Sequence, residues 1–89
     1  MIKVVWDSGF KKSYKKKIKN NAELKAKFFK SIELFSINPY TPQLRTHKLS
    51  GKLKKIWSFT VTPDCRVIFN FINNNEVLLI DIGSHDELY

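Results

Sequence analysis

Apolar residues in the first half of the chain recur at every third or fourth position, as they do at Phe10, Tyr14 and Ile18. Side chains at this spacing share one face of an α-helix, so the rhythm is typical of amphipathic helices. It predicts helices at about residues 8–19 and 22–37. The break between them is so short that we expect the two helices to pack as a hairpin.

The residues at the helix ends support these assignments. Asp7 or Ser8 can cap the first helix, and the Asn20-Asn21 pair can cap the second. The segment from Asn38 to Pro42 contains two prolines, which cannot continue a helix. The helical half of the chain is therefore expected to end near residue 37.

From about residue 44 onward apolar residues recur at every second position, which is typical of β-strands. Ser50-Gly51, Thr62-Pro63-Asp64 and the run of three asparagines from Asn73 are turn signals. Together with a short β-branched run near the N-terminus, the predicted strands are residues 2–6, 44–49, 54–62, 66–72 and 77–82. The last is almost wholly apolar, which is typical of a strand in the middle of a sheet.

The predicted order is β-α-α-β-β-β-β, which gives an α+β fold. We expect the helical hairpin to cover one face of a four- or five-stranded, mostly antiparallel sheet and to leave the other face for function. Eighty-nine residues make one domain, residues 1–89. The predicted core consists of Phe10, Leu24, Phe28, Ile32, Phe35, Trp57 or Ile56, Val67, Phe69, Leu79 and Ile80.

Charge narrows the class of partner. The net charge is +8, and residues 1–30 hold ten lysines against two acids, whereas residues 67–89 hold four acids and no Lys or Arg. Such clustering favours a polyanion, with nucleic acid as the leading class of partner. Neither lysine-rich helix has an apolar face strong enough to favour a membrane surface. With one cysteine and no long apolar run, a cytoplasmic protein is the expectation.

Known cofactor and metal motifs are missing from the sequence. It has no Gly-rich phosphate loop, no Cys/His cluster for zinc, and carboxylates too scattered for a two-metal site. We therefore expect no cofactor and no metal. Cys65 is expected to be a small core residue rather than a nucleophile.

Four polar residues are candidates for proton transfer and phosphate binding. His47 and His85 are the only histidines, and each is at the end of a predicted strand in polar surroundings. Histidine is the side chain that titrates near neutral pH. Asp64 and Arg66 flank a turn and are two positions apart, so we expect them on one face. A carboxylate can orient a histidine or take a proton, and a guanidinium can hold a phosphate.

Three segments, HKLSGKLKKIWSF, TPDCRVIFNF and VLLIDIGSHDELY, occur in an order that resembles the RelE superfamily of bacterial toxins, and its YafQ branch most of all. The resemblance covers essentially the whole chain. It implies a toxin of a type II toxin–antitoxin system that cuts mRNA on the ribosome without a metal. It also implies an acidic antitoxin as partner.

Carried over position by position, the resemblance makes His47, Asp64 and His85 catalytic and makes Tyr89 the C-terminal aromatic that places the substrate. A second histidine of the branch is replaced here by Thr60, and an active-site arginine by Asp81. Arg66 is the candidate to stand in for that arginine. Whether His47 or Asp64 is the general base stays open at this stage.

The basic residues expected to contact mRNA and ribosomal RNA are Lys11, Lys12, Lys15, Lys16, Lys19, Arg45, Lys48, Lys52, Lys54 and Lys55. Two other functions fit the same fold class: inhibition of DNA gyrase, as in ParE-type toxins, and nucleic-acid binding without chemistry.

Overall fold

The structure is a computed structural model, which describes residues 1–49 and 55–88. The described elements are β1 (Lys3–Trp6), α1 (Ser8–Lys17), α2 (Ala22–Ile37), β2 (His47–Lys48), β3 (Trp57–Thr62), β4 (Cys65–Asn73), β5 (Glu76–Gly83) and α3 (His85–Leu88), with a single 3-10 turn at Pro42–Leu44. The α+β class and the order β-α-α-β-β-β-β are confirmed. The α3 helix is an addition that the sequence rhythm did not predict.

The five strands form one sheet in the order β1-β5-β4-β3-β2. β1 pairs with β5 in parallel, and the other three pairings are antiparallel. β3, β4 and β5 follow one another as a meander, as expected. The apolar strand β5 lies between β1 and β4, which confirms its interior place.

Aromatic rings fill the space between the helices and one face of the sheet. Phe35 of α2 stacks on Phe59 of β3 with ring centroids 4.8 Å apart, and meets Phe69 of β4 edge-on at 4.9 Å. Phe10 of α1 and Phe28 of α2 are 5.9 Å apart, so the two helices also contact each other through rings. These pairs combine a large buried area with favourable ring geometry.

Both long helices begin at the capping residues that the sequence offers. The Asp7 carboxylate accepts a hydrogen bond from the Gly9 N–H at 2.9 Å, and Asn21 accepts one from the Leu24 N–H at 3.1 Å. Each bond satisfies a donor that has no partner inside its helix. α2 spans the residues predicted for it, whereas α1 ends two residues earlier than expected.

Two sequence predictions about the strands need correction. The strand predicted at residues 44–49 has only two residues, because Leu44 belongs to the 3-10 turn that follows the prolines. Ile80 is half-buried rather than in the core. Ile80 follows the buried Leu79 directly and therefore points to the other face. The pairing of β4 with β5 shifts register between Ile68 and Phe69, so that Ile82 rather than Asp81 is the next core residue.

α1 covers the part of β5 that β1 leaves unpaired. β1 reaches only as far as Leu79, and beyond this point the Ile82 carbonyl accepts a hydrogen bond from Lys17 Nζ at 3.1 Å. The side chain of Ser13, one turn earlier in α1, donates to Asp81. An exposed strand edge with unpaired backbone groups is thereby closed by helix side chains.

Candidate active site on the open face of the sheet

We call the face of the sheet away from the helices the open face. Arg66 and His47 lie on it, and the tail that carries His85 follows the strand paired with Arg66. Within β4, Cys65 and Val67 are buried beneath the helices, so Arg66 between them points to the open face. Arg66 is paired with Thr60 on β3 and with Gly83 on β5. His47 lies on the same face, because its partner Ser58 is two positions from Thr60.

Strand geometry places His47 and Arg66 within reach of a common ligand. They are two strands and one side-chain row apart, which corresponds to roughly 12 Å between their Cα atoms. Both side chains are long enough to approach each other across that spacing. A phosphate lying on the open face between them could therefore contact both.

A backbone turn fixes one nitrogen of His47. Arg45 has a left-handed backbone, with φ at 50° and ψ at 40°, which is uncommon for a residue with a Cβ. Its carbonyl oxygen lies 2.8 Å from His47 Nδ1. Because a carbonyl oxygen only accepts, Nδ1 must carry the hydrogen whenever this bond forms. The neutral ring then has its acceptor at Nε2.

The C-terminal tail brings His85 to the same end of the sheet as Arg66. Gly83, the partner of Arg66, is followed by Ser84 and then by α3, which begins at His85. The side chain of His85 is 62% exposed, and its Nδ1 lies 3.8 Å from Asp86 Oδ1. Tyr89, which the resemblance also assigns to the site, lies outside the described residues.

A capping box starts α3. The Ser84 hydroxyl accepts from the Glu87 N–H at 3.2 Å, and Glu87 Oε1 accepts from the Ser84 N–H at 2.8 Å. Sequence analysis missed this helix, although the spacing Ser-x-x-Glu is its signature. Lys17 joins it through an ion pair of 3.1 Å with Glu87 Oε2. Lys17 is therefore a residue of this end of the molecule that the sequence analysis did not single out.

Asp64 lies elsewhere. It belongs to the turn between β3 and β4, where its N–H donates to Thr62 Oγ1 at 3.3 Å. With Pro63 and Thr62 it borders a cavity of about 360 Å³ whose other walls belong to the start of α2. The alternation that places Arg66 does not extend to a turn residue, so the structure does not bring Asp64 to the open face beside Arg66.

The two positions that depart from the family pattern have distinct surroundings. Thr60 is the direct strand partner of Arg66. Asp81 is occupied at the sheet edge, where its Oδ1 accepts from Ser13 Oγ at 2.5 Å and from the Ile82 N–H at 2.8 Å. Asp81 thus has a hydrogen-bond partner in α1. Arg66 is the positively charged residue in the adjacent row of side chains across the sheet.

The lysines of α1 and of the turn that follows it divide into three stripes. Lys11, Lys15 and Lys19 border a mostly apolar groove of about 370 Å³ with Trp6, Tyr14 and Lys25. Lys17 belongs to a second stripe, which meets the edge of the sheet. Lys12 and Lys16 form the third stripe, which is exposed between the other two. Arg45, Lys48 and Lys55 are exposed near the strand that carries His47. Lys52 and Lys54 lie outside the described residues.

Cys65 is a core residue, as expected. Only 6% of it is exposed, and burial raises the pKa of its thiol to about 11, with a smaller lowering by Lys17 and a raising by Glu87. A thiol of this kind stays protonated at neutral pH. Among residues 1–49 and 55–88 there is no group of three or more His, Cys, Asp or Glu that could hold a metal ion. No helix in those ranges could span a membrane.

Comparison with known proteins places this geometry in a family. A family model described as YafQ, a bacterial toxin of a type II toxin–antitoxin system, matches residues 2–89. The chain belongs to the YafQ family. No curated protein sequence matches it. The membership confirms the resemblance that the sequence motifs carry, and it supports an antitoxin as the partner of this YafQ-family toxin.

Solved structures show the same fold along the whole chain. A metal-bound toxin from Helicobacter pylori is 27% identical, with a TM-score of 0.79 and 100% of both chains covered. YafQ from E. coli strain BL21(DE3) is 17% identical, with a TM-score of 0.70, 100% of this chain and 99% of that chain covered. A YoeB–YefM complex from Staphylococcus aureus is 15% identical, with a TM-score of 0.76 and coverages of 96% and 98%.

Proposed function

We propose that this YafQ-family toxin is a ribosome-dependent endoribonuclease that cuts mRNA by attack of a 2′-hydroxyl on the adjacent phosphate, without a metal ion. The observation that supports the proposal is that Arg66 and His47 share the open face, while the tail that carries His85 follows Gly83, the strand partner of Arg66. A guanidinium and two imidazoles thus belong to this face or to the end of the sheet beside it. Those are the groups that such a reaction needs.

His47 is the general base of the proposed reaction. Its Nδ1 is 2.8 Å from the Arg45 carbonyl, which leaves Nε2 to take the proton from the 2′-hydroxyl. Asp64, the other candidate from the sequence, borders the cavity at the start of α2 instead. The assignment predicts that His47→Ala removes cleavage, whereas Asp64→Asn keeps most of it.

The remaining steps use Arg66, His85 and Tyr89. As the 2′-oxygen bonds to phosphorus, the bond from phosphorus to the 5′-oxygen breaks. Arg66 neutralises the charge that gathers on the phosphoryl oxygens, and His85 gives a proton to the leaving 5′-oxygen. Tyr89 stacks on or steers a base. The products are a 2′,3′-cyclic phosphate and a 5′-hydroxyl.

Purified protein added to translating ribosomes tests this function. We expect cut mRNA with a cyclic phosphate end, and no cutting where a 2′-deoxynucleotide occupies the cleavage position. Cleavage at a 2′-deoxynucleotide contradicts the mechanism. Intact message together with stalled gyrase indicates the ParE-type function, and neither effect indicates nucleic-acid binding without chemistry.

The basic residues are proposed to hold the ribosome. The set is the one predicted from the sequence: Lys11, Lys12, Lys15, Lys16, Lys19, Arg45, Lys48, Lys52, Lys54 and Lys55. Each phosphate contact releases counterions, so log affinity should fall against log salt with a slope of about −0.7 to −0.9 per contact. Binding to ribosomes that does not change between low and high salt contradicts this role.

The groove beside α1 is the proposed contact for an acidic, amphipathic helical segment of the antitoxin. Its floor is aromatic, with the Trp6 and Tyr14 rings 5.0 Å apart, and Phe29 beside Tyr14 is 44% exposed. Four lysines surround it. Such a surface combines apolar area for one face of a helix with cations for the carboxylates beside that face.

Charge reversal at matched positions tests the groove. The Lys11→Glu/Lys15→Glu variant changes two groove lysines, and the Lys12→Glu/Lys16→Glu control changes two lysines of the neighbouring stripe with the same effect on net charge. We expect the first to weaken antitoxin binding at least about tenfold more than the second. Equal weakening would show that the antitoxin responds to net charge alone. If instead ribosome binding is lost only in the first variant, the groove holds RNA.

A further inference from the structure

Lys17 differs from every other lysine of α1 in its surroundings. Its side chain is only 25% exposed, its Nζ donates to the Ile82 carbonyl at 3.1 Å, and the same nitrogen lies 3.1 Å from Glu87 Oε2. One ammonium group thus joins the end of β5 to the first turn of α3. The other α1 lysines have no such bridge among the described residues.

Gly83 leaves room for the ion pair between Lys17 and Glu87, because it has no side chain. A Cβ built at Gly83 would lie 2.8 Å from Lys17 Nζ and 2.9 Å from Glu87 Oε1. A side chain at this position would therefore displace the ion pair. Glu87 Oε1 also closes the capping box by accepting from the Ser84 N–H at 2.8 Å, while Oε2 pairs with Lys17. Lys17, Gly83 and Glu87 act as one unit, which we call the tail lock.

The tail needs an external support of this kind. α3 has four residues, far fewer than a helix needs to be stable by itself. None of its residues is in the buried core. Its position on the sheet therefore depends on polar contacts, and His85 is its first residue.

We propose that Lys17 is a positioning residue that holds the C-terminal tail against the sheet and so keeps His85 aligned with Arg66 on the open face. The inference rests on the proposed nuclease function for its catalytic consequence. Its structural part, that Lys17 orders the tail, stands independently. Lys17 acts through Glu87 and Ser84, and it does not touch the substrate.

Two variants with equal loss of charge separate the tail lock from a general lysine effect. Lys17→Met keeps the apolar stem and removes the ammonium, and Lys30→Met does the same at an exposed position of α2 that belongs to no proposed site. We expect Lys17→Met to lower the single-turnover cleavage rate on saturating ribosomes by about tenfold to a hundredfold, as for a misplaced reacting group. Its affinity for ribosomes and its thermal midpoint should stay close to those of Lys30→Met, which should cleave at the wild-type rate.

Coupling between the partners sharpens the test. In a Glu87→Gln background, where the ion pair is already gone, Lys17→Met should slow cleavage much less than in the wild-type background. Gly83→Ala should slow cleavage as well, because its Cβ displaces the pair. If the effects of Lys17→Met and Glu87→Gln on the cleavage rate simply add, the tail lock does not act as one unit. An unchanged cleavage rate in Lys17→Met would also overturn it.

A measurement without RNA keeps this inference separate from the nuclease proposal. The Glu87 and Leu88 N–H groups are bonded to Ser84, so their hydrogen exchange reports on the tail. We expect faster exchange of both in Lys17→Met and unchanged exchange in Lys30→Met. Unchanged exchange in Lys17→Met overturns the tail lock, whatever the activity. If the wild-type protein cuts no RNA, the nuclease proposal fails, and exchange alone decides whether Lys17 orders the tail.

Discussion

The two faces of the sheet differ in what holds their side chains in place. Beneath the helices, Phe35, Phe59 and Phe69 are fully buried and contact one another as rings. On the open face, Arg66 and Thr60 are half-buried, and His47 is oriented by one hydrogen bond to a backbone carbonyl. Packing therefore determines the stability of the fold, whereas polar contacts determine the geometry of the candidate site. Substitutions on the two faces should separate these properties.

The largest expected effect is on the helix-covered face. Phe35→Ala removes a ring that contacts both β3 and β4, and should lower the free energy of unfolding by about 3–5 kcal/mol. For a chain of this length that is a large part of a total of about 4–13 kcal/mol. The half-buried Ile68 of the open face is the matched control, and Ile68→Ala should cost about 1 kcal/mol. Urea denaturation measures both, and equal losses would contradict the comparison.

His85→Ala should change the stability of the protein little and slow cleavage strongly. The side chain is mostly exposed, so the free energy of unfolding should change by less than about 0.5 kcal/mol. Loss of the proton that it gives to the leaving oxygen should slow single-turnover cleavage at least about a hundredfold. Ribosome affinity, measured in parallel, should change little. Cleavage at close to the wild-type rate would remove His85 from the mechanism.

The helix-covered face was largely predictable from the sequence, because periodicity reports directly on burial. The fully buried residues Phe10, Phe28, Phe35, Val67, Phe69 and Leu79 were all expected. The prediction for Ile80 was wrong because neighbouring residues of a strand point to opposite faces, so Ile80 cannot share the core with Leu79. The burial of Ile82 was not expected, because it depends on a register shift between β4 and β5. A rhythm of two along one strand contains no information about such a shift.

The open face was less predictable. His47, Arg66 and His85 were singled out by residue type and family resemblance, and strand pairing then put them on one face or at one end of the sheet. Asp64 was expected beside Arg66 because the alternation was extended into a turn, where it does not apply. Lys17 was one lysine among many in α1, and only the contact with a residue 70 positions later along the chain sets it apart.

Adjacent residues of β4 allow a direct chemical test of the alternation between the faces. Cys65 is buried with its pKa raised to about 11, so at pH 8 its thiolate fraction should be roughly a hundredfold below that of a free cysteine. We expect a thiol reagent to modify it slowly in the native protein and quickly in urea. An Arg66→Cys variant in a Cys65→Ala background puts a thiol on the open face, where it should react much faster. Similar rates at the two positions would contradict the assignment of faces.

The smallest expected effect concerns acid and the C-terminal tail. The backbone hydrogen bond from Ser84, followed by the contact with Lys17, lowers the pKa of Glu87. A carboxyl group with a lowered folded pKa stabilises the structure above its ordinary pKa of about 4.3, and this contribution is lost as pH falls through the folded value. The tail should thus loosen in acid while the core, which contains no carboxyl group among its described residues, stays folded.

Hydrogen exchange at single amides measures this loosening. After correction for the intrinsic pH dependence of exchange, protection of the Glu87 and Leu88 amides should be constant above about pH 5 and should fall below about pH 4. Protection of the Val67 and Phe69 amides should remain over the same range. In Glu87→Gln the side chain no longer titrates, so protection of the tail should be lower than in the wild type at neutral pH and independent of pH in this window. A tail that keeps full protection in acid would show that contacts other than the Glu87 carboxylate hold it.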